Sequence, residues 1–253
     1  MSKPRFYCAE LTPGVVTLDA SESKHARQSL RLRPGNEATL FDGRGRVAHG
    51  ILGGTTDAET PRKRPRAGSK VPPAEFTVER VLCEPPPTKT LTLLVAGCKG
   101  PRLTWMVEKL TELGTTRVVI AEFARSIVHV GHTHAGKLRR TALEATKQSQ
   151  RAWLPEITCG VGLVEALTDC AKGKLLAAHP LDDAPALLTR LHAHDLADDH
   201  LTAVVGPEGG LSDGEIAMLR EVGAELVRLA PTILRVETAA ISLAANWAVQ
   251  RSM

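Results

Sequence analysis

The spacing of apolar and polar residues changes near residue 85, and that change divides the chain. Before it, short apolar runs recur between turn-forming residues. Segments 5–7, 15–18, 38–41, 47–52 and 76–82 read as strands. Asp42-Gly43 is a turn signal between two of them and predicts a hairpin. Ser23 predicts the cap of a short helix over 25–30, stopped by Pro34-Gly35. Short strands with one helix predict a small β-rich barrel. After residue 85, strand-like runs alternate with helical periodicity. Strands are predicted at 91–96, 117–121, 174–178, 201–205 and 225–228, and helices at 102–113, 136–150, 184–191, 213–222 and 237–250. Such alternation predicts an α/β domain, a mostly parallel sheet covered on both faces. The two domains are therefore expected at 1–84 and 88–253, joined by the stiff run Cys83-Glu84-Pro85-Pro86-Pro87.

Segment 54–73 fits neither pattern. It is rich in Gly, Pro, Thr and basic residues, buries little, and reads as a mobile loop inside the first domain. Its Arg62, Lys63, Arg64, Arg66 and Lys70 form one of three basic clusters in the first 80 residues. The others are Lys24, Arg27, Arg31 and Arg33, and Arg44 with Arg46. Segment 181–226 is strongly acidic, with Arg190 and Arg220 as its only basic residues. The net charge of +4 only permits a polyanion partner. The asymmetry goes further and suggests a basic arm on RNA phosphates, although any one cluster also fits a solvated surface. One Tyr, three Trp and four Phe are too few for binding RNA mainly by stacking bases on rings. Five widely spaced cysteines without C-x-x-C indicate neither a zinc site nor a disulfide framework, and fit reduced thiols in the cytoplasm. No apolar run approaches the roughly 20 residues that span a bilayer, and the amino terminus lacks a signal-peptide core.

The most chemical segment is Gly206-Pro207-Glu208-Gly209-Gly210, which follows a predicted strand and precedes a predicted helix. Glycines there leave backbone open to a ligand, and Ser212 or Asp213 can cap the helix with Glu215 close behind for a capping box. In α/β proteins ligands bind at the carboxyl ends of strands. The segment has neither P-loop nor G-x-G-x-x-G spacing, and Glu208 would repel phosphate. An acid in the loop suits a ligand with positive charge or donor groups; a tight structural turn is the plainer account. A second loop, running from Leu229 into the last helix, sets Arg235 and Glu237 among apolar residues, as a functional or a structural pair. His129, His132 and His134 have spacing that could bind a metal, but no Cys or acid completes a site, so a surface loop and no metal are expected.

Four segments together carry a resemblance. Gly206-Pro207-Glu208-Gly209-Gly210 followed by Ile233-Leu234-Arg235-Val236-Glu237-Thr238-Ala239 resembles the signature of the SPOUT methyltransferases, and within them the family that methylates N3 of a uridine in bacterial 16S ribosomal RNA. Lys99-Gly100-Pro101-Arg102 with Lys109 to Gly114 resembles that family's K-G-x-R…K-x-x-E-L-G pattern, and Glu144 to Arg151 its E-A-x-x-Q-S-x-R pattern. Ala230 departs from the family's usual Gly, and segment 54–70 is longer and more basic than usual.

The resemblance implies a SPOUT fold with a C-terminal trefoil knot behind a PUA-like amino-terminal barrel. It implies S-adenosyl-L-methionine as cofactor, a homodimer, and ribosomal RNA as partner, free or within the assembled small subunit. Three loops would hold the cofactor: His179 and Pro180; Gly206, Pro207, Glu208, Gly209 and Gly210; and Leu229 to Thr238, in which Leu229, Ile233 and Leu234 would grip the adenine. Arg235 would stabilise negative charge on uracil oxygens, Glu237 would orient Arg235 or accept the N3 proton, and Thr238 would hold either. Lys99, Arg102, Lys109, Arg125, Lys147 and Arg151 are expected on elements facing the cofactor domain. Arg27, Arg31, Arg33, Arg62, Arg64, Arg102, Arg125 and Arg151 would touch RNA, or cover apolar surface with their stems. A ribose 2′-O-methyltransferase and a non-catalytic RNA-binding or assembly factor are the alternatives.

Overall fold

The computed structural model describes residues 3–54, 71–170, 173–180, 184–192 and 199–251. The chain forms two compact units. One comprises Met1–Pro86 and Thr146–Trp153, the other Pro87–Ala145 and Leu154–Met253.

In the first unit, β1 (Arg5–Tyr7), β2 (Gly14–Thr17), β3 (Glu37–Phe41), β4 (Arg46–Leu52) and β5 (Glu75–Cys83) make one sheet in the order β1-β3-β4-β5-β2. β1 runs parallel to β3 and the other pairs are antiparallel. Period-two alternation buries Ala48, Gly50 and Leu52 on β4 and Phe76 and Val78 on β5. With Phe6 and Leu40 they form the core. Gly50 is small by necessity, since a Cβ there would meet the Phe76 Cβ at 3.0 Å. The hairpin between β3 and β4 is set by the buried Asp42. Its Oδ1 accepts from the backbone N–H of Arg44 and Arg46, and its Oδ2 accepts from Arg46 Nε at 2.6 Å. Burial opposes this charge, but the donors of Arg46 and the backbone prevail and hold the carboxyl below its ordinary range.

The helix of this unit begins earlier than predicted. α1 (Ala20–Lys24) is capped by Asp19, which accepts from Glu22 N at 2.8 Å, and continues as one wider π-type turn over His25–Ser29. Ser23 is not the cap. Its buried hydroxyl donates to Leu18 O and accepts from Ala74 N, which satisfies groups that water cannot reach.

Segment Thr146–Trp153 was expected in the second domain, but it clusters with the first unit. Lys147 Nζ lies 2.7 Å from Glu22 Oε1, with both side chains under 10 % exposed. Lys147 is thereby paired with Glu22 inside the first unit. The Arg5 guanidinium donates to Gln150 O and Arg151 O and lies 4.6 Å over the Phe41 ring. Trp153 Nε1 donates to Pro85 O at 3.0 Å. The mobile-loop expectation for 54–73, with Arg62 and Arg64, falls mainly outside the described residues.

The second unit is a parallel sheet of β6 (Thr90–Ala96), β7 (Arg117–Glu122), β8 (Glu156–Gly162), β9 (Lys174–Ala178), β10 (His200–Val205) and β11 (Glu225–Val227). The order is β11-β9-β10-β6-β7-β8. Its helices are α2 (Pro101–Glu112), α3 (Ala135–Gln148), α4 (Leu163–Cys170), α5 (Leu187–His192), α6 (Asp213–Glu221) and α7 (Val236–Arg251). Residues 201–205 are buried consecutively, so both faces of β10 are covered. α7 packs against α2, with Ala240, Leu243, Ala244 and Trp247 buried in the unit's own core.

Two elements were not foreseen, β8 and α4. The strand reads E-I-T-C-G-V-G, whose two glycines resemble a loop, and the helix is only eight residues long. α5 starts later than predicted because residues before it run alongside the end of β11: Arg228 N donates to Pro185 O, and Leu187 N to Arg228 O. Among the described residues no helix is long and apolar enough to cross a membrane.

Candidate active site

Because every strand of the second unit is parallel, all carboxyl ends lie on one edge. At the ends of β9, β10 and β11 three loops line a single cleft that opens to solvent. The first loop contributes His179 and Pro180, the second Gly206, Pro207, Glu208, Gly210 and Leu211. The third contributes Arg228, Leu229, Ala230, Thr232, Ile233 and Leu234, followed by Val236 and Ala239 of α7. The cleft's position at the carboxyl ends of parallel strands is where ligands bind in α/β folds.

The second loop is built by local hydrogen bonds. Gly210 N donates to Pro207 O at 2.8 Å, closing a tight turn, and Gly210 has φ +74°, which glycine adopts without strain. Ser212 is the helix cap. It accepts from Glu215 N at 3.3 Å, while Glu215 Oε2 accepts from Ser212 N at 2.8 Å, a complete capping box. The other oxygen of Glu215 accepts from Ala124 N at 2.8 Å.

Gly209 is the one predicted cofactor residue that does not line the cleft. A Cβ built on it would meet the Arg125 Cβ at 3.2 Å, so its open face belongs to Arg125. Arg125 Nη1 donates to Gly209 O at 3.2 Å and to Leu211 O at 3.3 Å.

Charge in the cleft is mixed. Glu208 and Arg228 both line it. His179 Nδ1 is buried and has no hydrogen-bond partner among the described residues. Burial, helped by the positive charge of Arg220, lowers the His179 pKa and favours the neutral ring. Beneath the loops, Cys98 is pushed up to about 11, first by burial and then by the charge of Glu237, with Arg102 opposing and Glu208 adding. This thiol therefore stays protonated near neutrality.

Arg235 and Glu237 are not paired as the sequence suggested. Glu237 is only 4 % exposed, and its Oε1 lies 3.3 Å from Nη1 of Arg102 on α2. Its Oε2 is buried without a partner among the described residues. Arg235 and Thr238 are exposed. The reason is helical: Glu237 sits in the first turn of α7 on the side packed against α2.

The residues expected at RNA are dispersed. Arg102 is tied to Glu237 and Arg125 to the second loop. In the first unit Arg27 Nη2 donates to Pro73 O at 2.7 Å, while Arg31 and Arg33 are exposed near it in sequence. Arg151 lies in the Thr146–Trp153 segment. Of the three histidines, His129 is 3.5 Å from Glu122, and no group of three possible ligands gathers among the described residues. Thr232 lies within the third loop that the sequence indicated, from Leu229 to Thr238, whereas sequence reasoning missed Arg228 as a lining residue. The position of Arg228, directly after a short apolar strand, was the available signal.

Comparison with known proteins fits this geometry. A family model described as an RNA methyltransferase domain matches residues 84–248, and one described as an RNA methyltransferase PUA domain matches residues 18–57. Fold and site thus define an RNA methyltransferase of the SPOUT class with a PUA-like amino-terminal domain. The ribosomal RNA small subunit methyltransferase E of Mycobacterium bovis is 30% identical over 238 residues, 90% of this chain and 84% of that protein. A crystal structure of the protein of that name from Neisseria gonorrhoeae, bound to S-adenosyl methionine, is 29% identical with a TM-score of 0.77. The match covers 99% of this chain and 98% of that one. A methyltransferase structure from Legionella pneumophila, 23% identical with a TM-score of 0.81, shares the fold over 100% of this chain and 98% of its own. The chain belongs to the ribosomal RNA small subunit methyltransferase E family.

Proposed function

We propose that this chain transfers a methyl group from S-adenosyl-L-methionine to N3 of a uridine in 16S ribosomal RNA. The observation that carries the reading is the cleft itself: an apolar wall and an acid meet at the strand ends, beside the start of α7. The residues fit the cofactor. Leu229, Ile233 and Leu234 offer a flat apolar surface for adenine, and Ile233 is 85 % exposed, an apolar face that a bound ring would cover. Glu208 suits the sulfonium and ammonium charges, Arg228 offers a donor fork to the carboxylate, and a neutral His179 adds no opposing charge. The bound cofactor supplies an electrophilic methyl group.

The chain's own task is to loosen the N3 proton and hold the base in line. Arg235 is exposed immediately before α7, and its planar fork stabilises charge on the uracil oxygens as the proton leaves. Thr238, one turn on, orients the base by a hydrogen bond. Glu237 acts from below: its contact fixes Arg102 rather than reaching substrate. The target uridine has to be unstacked to enter, so a single-stranded or distorted RNA site is the substrate. The basic residues Arg27, Arg31, Arg33, Arg62 and Arg64 of an RNA-gripping domain over 1–84 hold the backbone, and 88–253 is the catalytic domain. The last strands thread as a trefoil knot. The resemblance of Gly206 to Gly210 and of Ile233 to Ala239 to the SPOUT signature supports this. Homodimerisation, action on RNA free or within the small subunit, and a cytoplasmic setting follow from the sequence resemblance and the free cysteines.

Mass spectrometry of 16S ribosomal RNA from a strain lacking this chain tests the reading. One methyl group should vanish and nucleoside digestion should place it on uracil N3. An unchanged methylation map, or loss of a ribose methyl instead, overturns it.

A further inference from the structure

Arg125 stands in an unusual position. It lies in the turn after β7, far in sequence from the cleft loops, yet its side chain crosses the outer face of the second loop. The stem packs on Gly209, where a Cβ would meet Arg125 Cβ at 3.2 Å and Cδ at 3.7 Å. Nη1 then donates to two loop carbonyls, Gly209 O at 3.2 Å and Leu211 O at 3.3 Å. The turn that carries Arg125 is itself anchored. Ser126 Oγ accepts from Phe123 N at 3.0 Å, and Glu215 of α6 accepts from Ala124 N at 2.8 Å. The β7 turn is therefore pinned to the β10 loop and the start of α6 at two points, one just before the capping box and one through its Glu215.

The opposite face of the loop lines the cleft through Pro207, Glu208 and Gly210. Arg125 is exposed, and no ion pair with an acid is seen for it among the described residues. A guanidinium has five donors. With Nη1 used on the loop, the edge formed by Nε and Nη2 remains for an anion from solvent.

We propose that Arg125 is a positioning residue that couples RNA phosphate to the cofactor loop: one end of its guanidinium holds the loop in its ligand-ready shape while the other edge takes a backbone phosphate of the substrate. The proposal rests on the methyltransferase reading above. Phosphate binding orders the Arg125 side chain, which costs less once the loop is already held, so RNA and cofactor favour each other's binding. Linkage makes that coupling reciprocal.

Calorimetry of S-adenosylmethionine binding to the full chain, with and without a 16S ribosomal RNA transcript, tests it together with steady-state methylation. The native chain should bind cofactor more tightly in the presence of the transcript. Arg125→Ala should weaken cofactor binding about ten-fold, the loss of two hydrogen bonds from a charged donor partly screened by water. It should also abolish the gain from RNA. The KM values for cofactor and for RNA should both rise by a larger factor than turnover falls at saturation, and Arg125→Lys should restore the hold on the loop in part but not the coupling, because an ammonium lacks the second edge. Native cofactor affinity and native coupling in Arg125→Ala overturn the inference while leaving the methyltransferase reading intact. If instead the native chain neither binds cofactor nor methylates, that reading fails and the role of Arg125 with it. Loss of cofactor binding with a collapsed melting temperature in Arg125→Ala but not in Arg125→Lys assigns the residue to folding and also overturns the proposal.

Discussion

Glu237 Oε1 lies 3.3 Å from Arg102 Nη1, and that contact joins the first turn of α7 to the first turn of α2. The carboxylate is nearly inaccessible, whereas the arginine side chain is 38% exposed. Removing the arginine strands a buried charge. Arg102→Ala should cost about 2 kcal/mol, less than the roughly 3–5 kcal/mol of a fully buried broken pair, because water still reaches this one. Glu237→Gln keeps the shape and removes the charge, so it should be milder in stability. Urea melts and single-turnover rates on the same preparations separate the roles. A positioning role predicts that both variants lose turnover, Glu237→Gln because Arg102 is displaced and Arg102→Ala because it is gone. Normal turnover in both would remove the pair from the mechanism.

Arg235 presents the opposite case. Its side chain is exposed and makes no hydrogen bond or ion pair among the described residues, while its carbonyl accepts from Ala239 N whatever the side chain, so its replacement should leave the melting temperature nearly unchanged. Arg235→Lys keeps the charge and loses the fork. Cofactor affinity should stay near native while methyl transfer falls by about 10²-fold, the scale of one missing oriented donor at a developing anion. A native rate in this variant assigns the charge stabilisation elsewhere, with Arg102 the nearest alternative on α2.

Local chemistry made much of this legible before any fold was known. The Ser212 and Glu215 capping box and the Asp42 turn are each written in a few adjacent residues, and both form as the residues require. The strand runs 91–96 and 201–205 announced themselves because burial on both faces leaves each nearly all apolar, with Thr92 and Thr202 the single polar residue of each. What stayed hidden depends on contacts distant in sequence. Arg235 and Glu237 are two residues apart, but on a helix such neighbours point to different sides, and Glu237 turned to Arg102, 135 residues away. Likewise Lys147 carries no local sign that its partner is Glu22. Gly209 was read as room for a ligand, and it is room for Arg125.

The basic cluster at 62–66 lies outside the described residues, so its prediction rests on composition alone. Replacing Arg62, Lys63, Arg64 and Arg66 with Ser should weaken RNA binding and leave cofactor affinity intact. Each phosphate that the variant no longer neutralises should flatten the slope of log affinity against log salt by about 0.9 for duplex or about 0.7 for single-stranded RNA. Equal slopes for variant and native chain exclude this segment from the RNA interface.

His179 should make the protein sensitive to mild acid. Burial is the main cause of its lowered pKa, and the charge of Arg220 adds to it. In the unfolded chain the ring titrates near its ordinary value of 6.5. Below that value the unfolded state takes up a proton that the folded state resists. The unfolded state then binds more protons, so stability rises with pH through this window. The contribution is complete above about 6.5 and is lost as pH falls toward the folded value, by at most about 1.4 kcal/mol per pH unit for one proton. Cofactor binding should weaken over the same range, because an imidazolium would add a second positive charge, beside Arg228, to a cleft that receives a cation. Carboxylates elsewhere also titrate in mild acid, so the native curve alone is ambiguous. His179→Gln, which cannot take up the proton, isolates the effect. Its melting temperature and cofactor affinity should fall less between about pH 7 and about pH 5.5 than those of the native chain. Parallel pH profiles for the two proteins would show that His179 does not titrate in this window, and that the acid response belongs to other groups.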